Sequence, residues 1–251
     1  MIWILNIYEK FALIYDELID DIDYKTWGDF ISKILKLKDL TPQNTLEMAC
    51  GTGKLTAELS KITSRIDAFD LSPDMLSIAY NKFKDNQNVK FYNLDMRNFK
   101  FNKKYDLVIC GCDSLNYITN PNDLNKIFFN VREHLNQGGL FIFDINSYYK
   151  ISKIIGNNIF LNDKDDIFYT WDSSYDEKLE ICDYYLTFFV LRDDNLYERF
   201  DEHHRQKAYK TEYIERNLIE NGFTGVYKYS DYSFEQIDDT TQRICFVENI
   251  D

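Results

Sequence analysis

The chain has 251 residues, 45% of them hydrophobic and 28% charged, enough for one large α/β domain with an insertion. A formal net charge of −13 repels phosphate backbones, so no nucleic-acid partner is expected without a local basic patch, and no Lys/Arg run makes one. Five cysteines without framework spacing suggest reduced thiols in a cytoplasmic protein, no run of about 18 apolar residues could span a membrane, and the apolar residues 1–5 are too short for a signal peptide.

Residues 7–19 and 24–37 fit amphipathic helices, the second with Trp27, Phe30, Ile31, Ile34 and Leu35 on one face. Both precede the first strand and read as additions to an α/β core. Tyr15-Asp16 and Tyr24 are aromatic-polar groups that could cap a cofactor pocket or simply pack with a wet hydroxyl.

The stretch from Leu46 to Thr56 organises the rest of the chain. It predicts a buried strand over 44–48, a tight glycine turn, and a helix over 54–61. Gly51 and Gly53 have no Cβ, so a ligand can lie against the backbone and the turn can use positive φ. The helix points its free N–H groups and positive dipole end at that ligand. Glu47 closes the strand, its carboxylate within reach of the same crevice. A lone Gly-x-Gly is as often an ordinary strand–turn–helix corner, so the other strand ends decide.

The strand over 65–70 ends in Asp70-Leu71-Ser72, with Ser72 as N-cap and Pro73 as first residue of a helix over 73–84. Asp70, 19 residues beyond Gly51, fits a carboxylate accepting both ribose hydroxyls of an adenosine, the alternative being a cap on its own helix. The strand over 89–94 ends in Asp95-Met96-Arg97: Asp95 could accept from an adenine amino group while Met96 covers the ring, or Asp95 is a solvated loop residue. The strand over 105–111 is a continuous apolar run, as in a central parallel strand. It leads into Cys112-Asp113-Ser114-Leu115-Asn116-Tyr117. Cys110 and Cys112 have no His/Cys partner pair, so packing is expected rather than zinc. A helix from Asn120-Pro121 to near residue 135 is stopped by Gly138-Gly139, and a strand over 140–146 carries Asp144.

Five strands alternating with helices predict a Rossmann-like, doubly wound parallel sheet. Ligands bind such sheets beyond the carboxyl ends of the strands, where Glu47, Asp70, Asp95, Asp113 and Asp144 all fall. After Tyr148 the period becomes strand-like. Runs over 167–171, 179–191 and 196–209, with turns at 172–177 and 192–195, predict a three-stranded antiparallel insertion. Residues 148–207 then form an aromatic-rich lid, and 1–147 with 208–251 form the core. A helix over 211–221 and strands over 223–232 and 241–248 close the core with an antiparallel strand.

With these residues in place, the chain resembles class I S-adenosylmethionine-dependent methyltransferases over about its whole length. The glycine turn from Glu47 to Gly53, Asp70, Asp95-Met96 and the loop after the fourth strand stand where that family places cofactor contacts. The layout is similar to small stand-alone bacterial methyltransferases and to amino-sugar N-methyltransferases, on the lid insertion, Asp95-Met96-Arg97 and Asp113-Ser114-Leu115-Asn116-Tyr117. One departure is Ala49, where the family has its first glycine; alanine serves there if its φ is negative. The resemblance implies that Gly51 and Gly53 accommodate the methionine part of the cofactor, that Asp70 holds the ribose, and that Asp95 and Met96 hold the adenine. It implies that Tyr15 and Tyr24 close over the carboxylate end, with Glu47 and Leu71 as further contacts. Cys112 and Asp113 would lie beside the sulfonium, and S-adenosylhomocysteine would be the product.

Methyl transfer needs alignment and exclusion of water, and a nitrogen or oxygen acceptor must lose a proton. His134 sits in a helix, while alternation sends His203 and His204 to opposite faces of a strand. His204 is the expected general base, with Tyr117 and Asp113 as rivals and an ion-paired surface histidine as the alternative. The expectation is a methyltransferase, monomeric or homodimeric, acting on N or O of a small polar molecule. The other readings are methylation of RNA or protein and a non-catalytic adenosine-binding module. An NAD-linked oxidoreductase is disfavoured, because Thr56 stands where a third turn glycine belongs.

Overall fold

The computed structural model describes residues 16, 18, 23–164 and 166–250. The helix expected over 7–19 therefore lies outside the described residues except for Asp16 and Leu18, and so does Tyr15.

Helix α1 (Tyr24–Leu37) starts where the Asp23 carboxylate accepts from Thr26 N at 3.1 Å. The core then alternates: β1 (Asn44–Met48), α2 (Lys54–Leu59), β2 (Arg65–Asp70), α3 (Pro73–Phe83), β3 (Val89–Asn93), β4 (Tyr105–Cys110), α4 (Pro121–His134) and β5 (Leu135–Asn146). After the small sheet come α5 (Thr211–Glu220), β10 (Gly225–Ser230) and β11 (Arg243–Asn249). The seven-stranded sheet has the order β10-β11-β5-β4-β1-β2-β3. Strands β1 to β5 pair in parallel, and β11 runs antiparallel to both β5 and β10. The order reverses between β1 and β4, so the crevice for a ligand opens beyond the ends of these two strands.

Strand β4 shows why the sheet is covered twice. Val108 and Cys110 enter the core under α4 and α5, with Phe128, Phe141, Phe143, Phe246 and Ile214. Leu107 and Ile109 enter the opposite core, with Trp27, Phe30, Ile31, Leu55 and Leu76 from α1, α2 and α3. Each such side chain, taken fully out of water, contributes about 1.5–3 kcal/mol. All five cysteines are free thiols. Among the described residues no helix is long and apolar enough to cross a membrane.

Helix α4 ends at His134, as the sequence predicts, but not through the glycines. Leu135 is already extended (φ −85°, ψ 141°), and β5 begins there rather than at residue 140. Gly138 (φ 73°) and Gly139 lie inside β5, beside the register shift between Tyr105 and Leu107 of β4.

The small sheet has four antiparallel strands, not three: β6 (Ile159–Lys164), β7 (Ile167–Asp176), β8 (Ile181–Leu191) and β9 (Tyr197–Lys207). Strand β6 is exposed along almost its whole length, so it carries no apolar alternation to read. The polar run from Asp172 to Asp176 is strand, not turn. It pairs with Ile181–Tyr185 of β8, and the chain reverses at residues 177–180.

Candidate active site

Strand β1 delivers Glu47 to the rim. The chain then curls back onto β2, with Cys50 N donating to Phe69 O at 3.0 Å and Gly51 N to Asp70 Oδ2 at 2.8 Å. That curl sets Ala49 (φ 52°), Gly51 (φ 53°) and Gly53 (φ 82°) in the left-handed region. The negative φ expected of Ala49 is thus corrected: its Cβ is accommodated at a cost of about 1–2 kcal/mol. A Cβ on Gly51 would meet nothing within 4 Å, so a ligand can approach this backbone directly. A Cβ on Gly53 would press on Phe83 Cε2 at 3.1 Å.

Glu47 is 1% exposed, and its Oε2 has no hydrogen-bond partner among the described residues. Burial pushes its carboxyl up to about 8, and the nearby Asp70 adds to the shift. Asp70 uses one oxygen on Gly51 N and the other on Ser72 N, each at 2.8 Å. Burial raises it against these backbone bonds. Each oxygen keeps a second lone pair for a further donor. Leu71 beside it is 64% exposed, an apolar surface at the β2 end of the rim. Across β3, Asp95 is clasped by the Arg97 guanidinium, with Nε 2.9 Å from both oxygens, and this pair holds it below the usual carboxylate range. Met96 packs partly buried against the core.

Asp16 reaches over the glycine turn, accepting from Thr52 Oγ1 at 2.6 Å and from Lys82, while its carbonyl accepts from Lys54 Nζ at 2.6 Å. Two residues on, Leu18 packs against the Ile167, Phe188 and Phe200 cluster of the small sheet. Residues 16 and 18 thus bridge the crevice between rim and small sheet. Tyr24 and Cys112 both pack, partly buried, against the core under α1, and Lys54 Nζ lies 5.5 Å from the Tyr24 ring centroid.

The loop after β4 bends through two positive-φ residues, Cys112 (59°) and Asp113 (51°). Their N–H groups donate to the Asp144 carboxylate at 2.6 and 3.0 Å. Buried Arg243 of β11 bridges Asp144 and Asp113, 3.1 Å from the latter. Gln206 of β9 donates to Asp113 Oδ2 at 2.8 Å. Asn116 donates to Asn146 O and Lys207 O at 3.1 and 3.0 Å. The carboxylates of Asp113 and Asp144 therefore fix the loop and dock the small sheet on it.

The two adjacent histidines of β9 do face opposite ways. His203 stacks on Tyr185 at 4.6 Å and bonds Asp183 at 2.8 Å on the outer face. His204 points inward, its ring edge-on to Tyr117 at 5.8 Å, and burial lowers it to about 4, so it is neutral at pH 7. His134 is buried, accepting from Phe101 N at 3.0 Å through Nε2 and bonded to Asn130 O at 2.8 Å through Nδ1. Sequence reasoning missed three polar groups of this region: Glu202, Gln206 and Arg243. The alternation Phe200-Glu202-His204-Gln206 carried a signal for the first two. Arg243 carried none, since its partners are 99 and 130 residues away in sequence (243 − 144 and 243 − 113).

Residues 45–139 match the family model described as "Methyltransferase domain". A protein of Geobacillus sp. (strain WCH70) classed as a methyltransferase is 36% identical over 245 residues, covering 96% of this chain and 98% of the relative. The crystal structure of an S-adenosylmethionine-dependent methyltransferase from Clostridium acetobutylicum ATCC 824 is 42% identical. It superposes with a TM-score of 0.89 over 97% of this chain and 98% of that one.

The chain belongs to the S-adenosylmethionine-dependent methyltransferases.

A narrower similarity links this methyltransferase to the dTDP-3-amino-3,4,6-trideoxy-α-D-glucopyranose N,N-dimethyltransferase of Streptomyces venezuelae, 26% identical over 120 residues, 48% of this chain and 49% of that one. The rim fits the family's cofactor on two observations: the unpartnered Glu47 Oε2 and the open approach to Gly51.

The methyltransferase also carries a cleft of about 670 Å³ lined by Arg97, Lys100, Lys103, Lys104 and Lys126, with Glu133 and exposed Phe129. The expectation of no local basic patch is corrected here: Arg97, Lys100, Lys103 and Lys104 stand within eight residues, interleaved with Asn98, Phe99, Phe101 and Asn102 rather than in an unbroken run, and folding adds Lys126. Three of the five cations are already paired, with Asp95, Asp67 and Asp123.

Proposed function

We propose that this enzyme methylates N or O of a small polar molecule held between the rim of the large sheet and the inner face of the small one. The observation that supports this most is the docking of β9 on the loop after β4, through Gln206–Asp113, Asn116–Lys207 and His204–Tyr117. A sheet face docked in this way on the loop after β4 suits a small acceptor better than a macromolecular one. Residues 148–207 act as a lid and the rest of the chain as the cofactor-binding core.

In this reading Gly51, Gly53 and Glu47 hold the methionine part of S-adenosylmethionine. Asp70 takes the ribose, Leu71, Asp95 and Met96 the adenine side, and Tyr24 with the loop at Cys112 and Asp113 closes the other end. Tyr15 belongs to the same proposal. S-adenosylmethionine held there would supply an electrophilic methyl group to the acceptor's lone pair, with S-adenosylhomocysteine as the leaving product. The protein positions the acceptor, excludes water and accepts the acceptor's proton. Neutral His204 presents a hydrogen-bond acceptor, and Tyr117 stands beside it as the second candidate. The amino-sugar acceptor named for the Streptomyces venezuelae relative is one molecule of the right size and polarity.

The chain's −13 charge and the paired state of most cations in the 97–134 cleft weigh against RNA as acceptor. A screen of small amines, alcohols, RNA and protein for S-adenosylhomocysteine release tests the reading. Turnover of small molecules supports it, and turnover confined to RNA or protein refutes it.

A further inference from the structure

Among the described residues, the inner face of the small sheet holds a carboxylate without a counter-ion. Glu202 is 5% exposed, its Oε1 has no hydrogen-bond partner among those residues, and its Oε2 lies 4.0 Å from His204 Nε2. Phe200 and His204 flank it on the same face of β9, and Leu186 faces it from β8. Phe200 stacks on Phe188 at 5.0 Å, with Leu18 packed over that cluster. Trp171, paired with Leu186 across β7 and β8, also has an unpartnered Nε1. Arg243 of β11 is already held by Asp113 and Asp144. A buried acceptor atom without a donor disfavours the folded state unless a ligand supplies the donor. Burial has raised Glu202 to about 7, so near neutrality it exists both with and without its proton.

We propose that Glu202 binds the positive charge of an amine acceptor, a protonated primary or secondary amine whose ammonium group docks on Oε1 against the aromatic wall. The ammonium then gives one proton to the carboxylate: R–NH3+ becomes R–NH2 as the carboxylate becomes a carboxylic acid, and the nitrogen gains the lone pair that methylation requires. An alcohol would leave the buried charge uncompensated, whereas an ammonium ion meets both the carboxylate and the aromatic faces. His204, kept neutral beside it, does not compete for the negative charge and stays the candidate for the second proton, the one the nitrogen sheds as it gains the methyl group. This inference rests on the acceptor lying between rim and small sheet.

The test uses sinefungin, in which an amine-bearing carbon replaces the methylsulfonium, against S-adenosylhomocysteine, which lacks the amine. Both are titrated calorimetrically into wild type, Glu202→Gln and Glu202→Asp. Wild type is expected to bind sinefungin roughly tenfold or more tightly than S-adenosylhomocysteine. Glu202→Gln is expected to lose that preference while binding S-adenosylhomocysteine like wild type, which also shows that it is folded. Glu202→Asp keeps the charge and is expected to retain the preference. An equal preference in wild type and Glu202→Gln, or none in wild type, overturns the inference. Failure of wild type to bind either analogue overturns the cofactor site itself.

Discussion

Gln206 Nε2 donates to Asp113 Oδ2 at 2.8 Å, joining residues 93 apart and holding β9 of the small sheet against the loop after β4. The bond belongs to a buried network. Gln206 Oε1 accepts from Tyr184 at 3.2 Å and Asn146 at 3.3 Å, and Asp113 shares Arg243 with Asp144. Among the described residues Arg243 is the one cation in it. Arg243→Met leaves the buried Asp144 and the half-buried Asp113 uncompensated and is expected to destabilise the protein by about 3–5 kcal/mol. Urea denaturation reads the loss; an unchanged midpoint would show that the network carries no such charge balance.

At the other end of β11, Glu248 is fully buried and neither carboxyl oxygen has a partner among the described residues. Burial pushes it up to about 9, with Glu215 adding to the shift and Lys228 opposing it. Its folded value lies above its unfolded one near 4.5, so the folded state binds more protons between the two. The stability it contributes is present below about pH 4.5 and lost as pH rises through about 9. Glu248→Gln removes this term and is expected to gain about 1–3 kcal/mol over wild type at pH 9, and less at pH 6. Thermal denaturation at the two pH values checks it, and parallel profiles would contradict it.

Ala49→Gly relieves a Cβ at φ 52°. The gain is offset in part by the entropy of glycine in the unfolded chain, leaving a stabilisation of about 0.5–1 kcal/mol. A melting temperature at or below that of wild type would show that Ala49 is unstrained.

Legibility in the sequence tracked the range of the forces. Strands β1 and β2 and helix α1 were readable to the residue, because continuous or periodic apolar runs fix them locally. So was the rim, since Glu47, Gly51, Gly53 and Asp70 are spaced by one βαβ unit. Strand β6 was not readable, because almost every residue in it faces solvent. The sign of φ at Ala49 was misread, because the hydrogen bonds that curl the turn come from β2. Glu202 and Arg243 escaped notice because a missing counter-ion and a bridging cation are tertiary facts. The motif shows which carboxylates reach the rim, and only the fold shows that Asp113 and Asp144 already have partners there.

His204→Gln and Tyr117→Phe separate the two residues that meet edge-on at 5.8 Å. If His204 accepts the acceptor's proton, His204→Gln lowers kcat by about 10²–10⁴-fold and leaves S-adenosylhomocysteine affinity unchanged. Full turnover by His204→Gln, with loss in Tyr117→Phe, would move the role to the tyrosine. Because burial holds His204 near 4, its own titration adds no slope to the rate between pH 6 and 8.

The most direct test of the site at the rim is calorimetric titration of S-adenosylhomocysteine into wild type and Asp70→Asn. Asparagine keeps the size of Asp70 but replaces one of the two acceptor oxygens that serve Gly51 N and Ser72 N with a donor. Wild type is expected to bind one molecule per chain, and Asp70→Asn to bind at least about tenfold more weakly with its fold intact. Equal affinity in the two proteins would mean that the ribose does not lie on Asp70, and the cofactor site at the rim would be wrong.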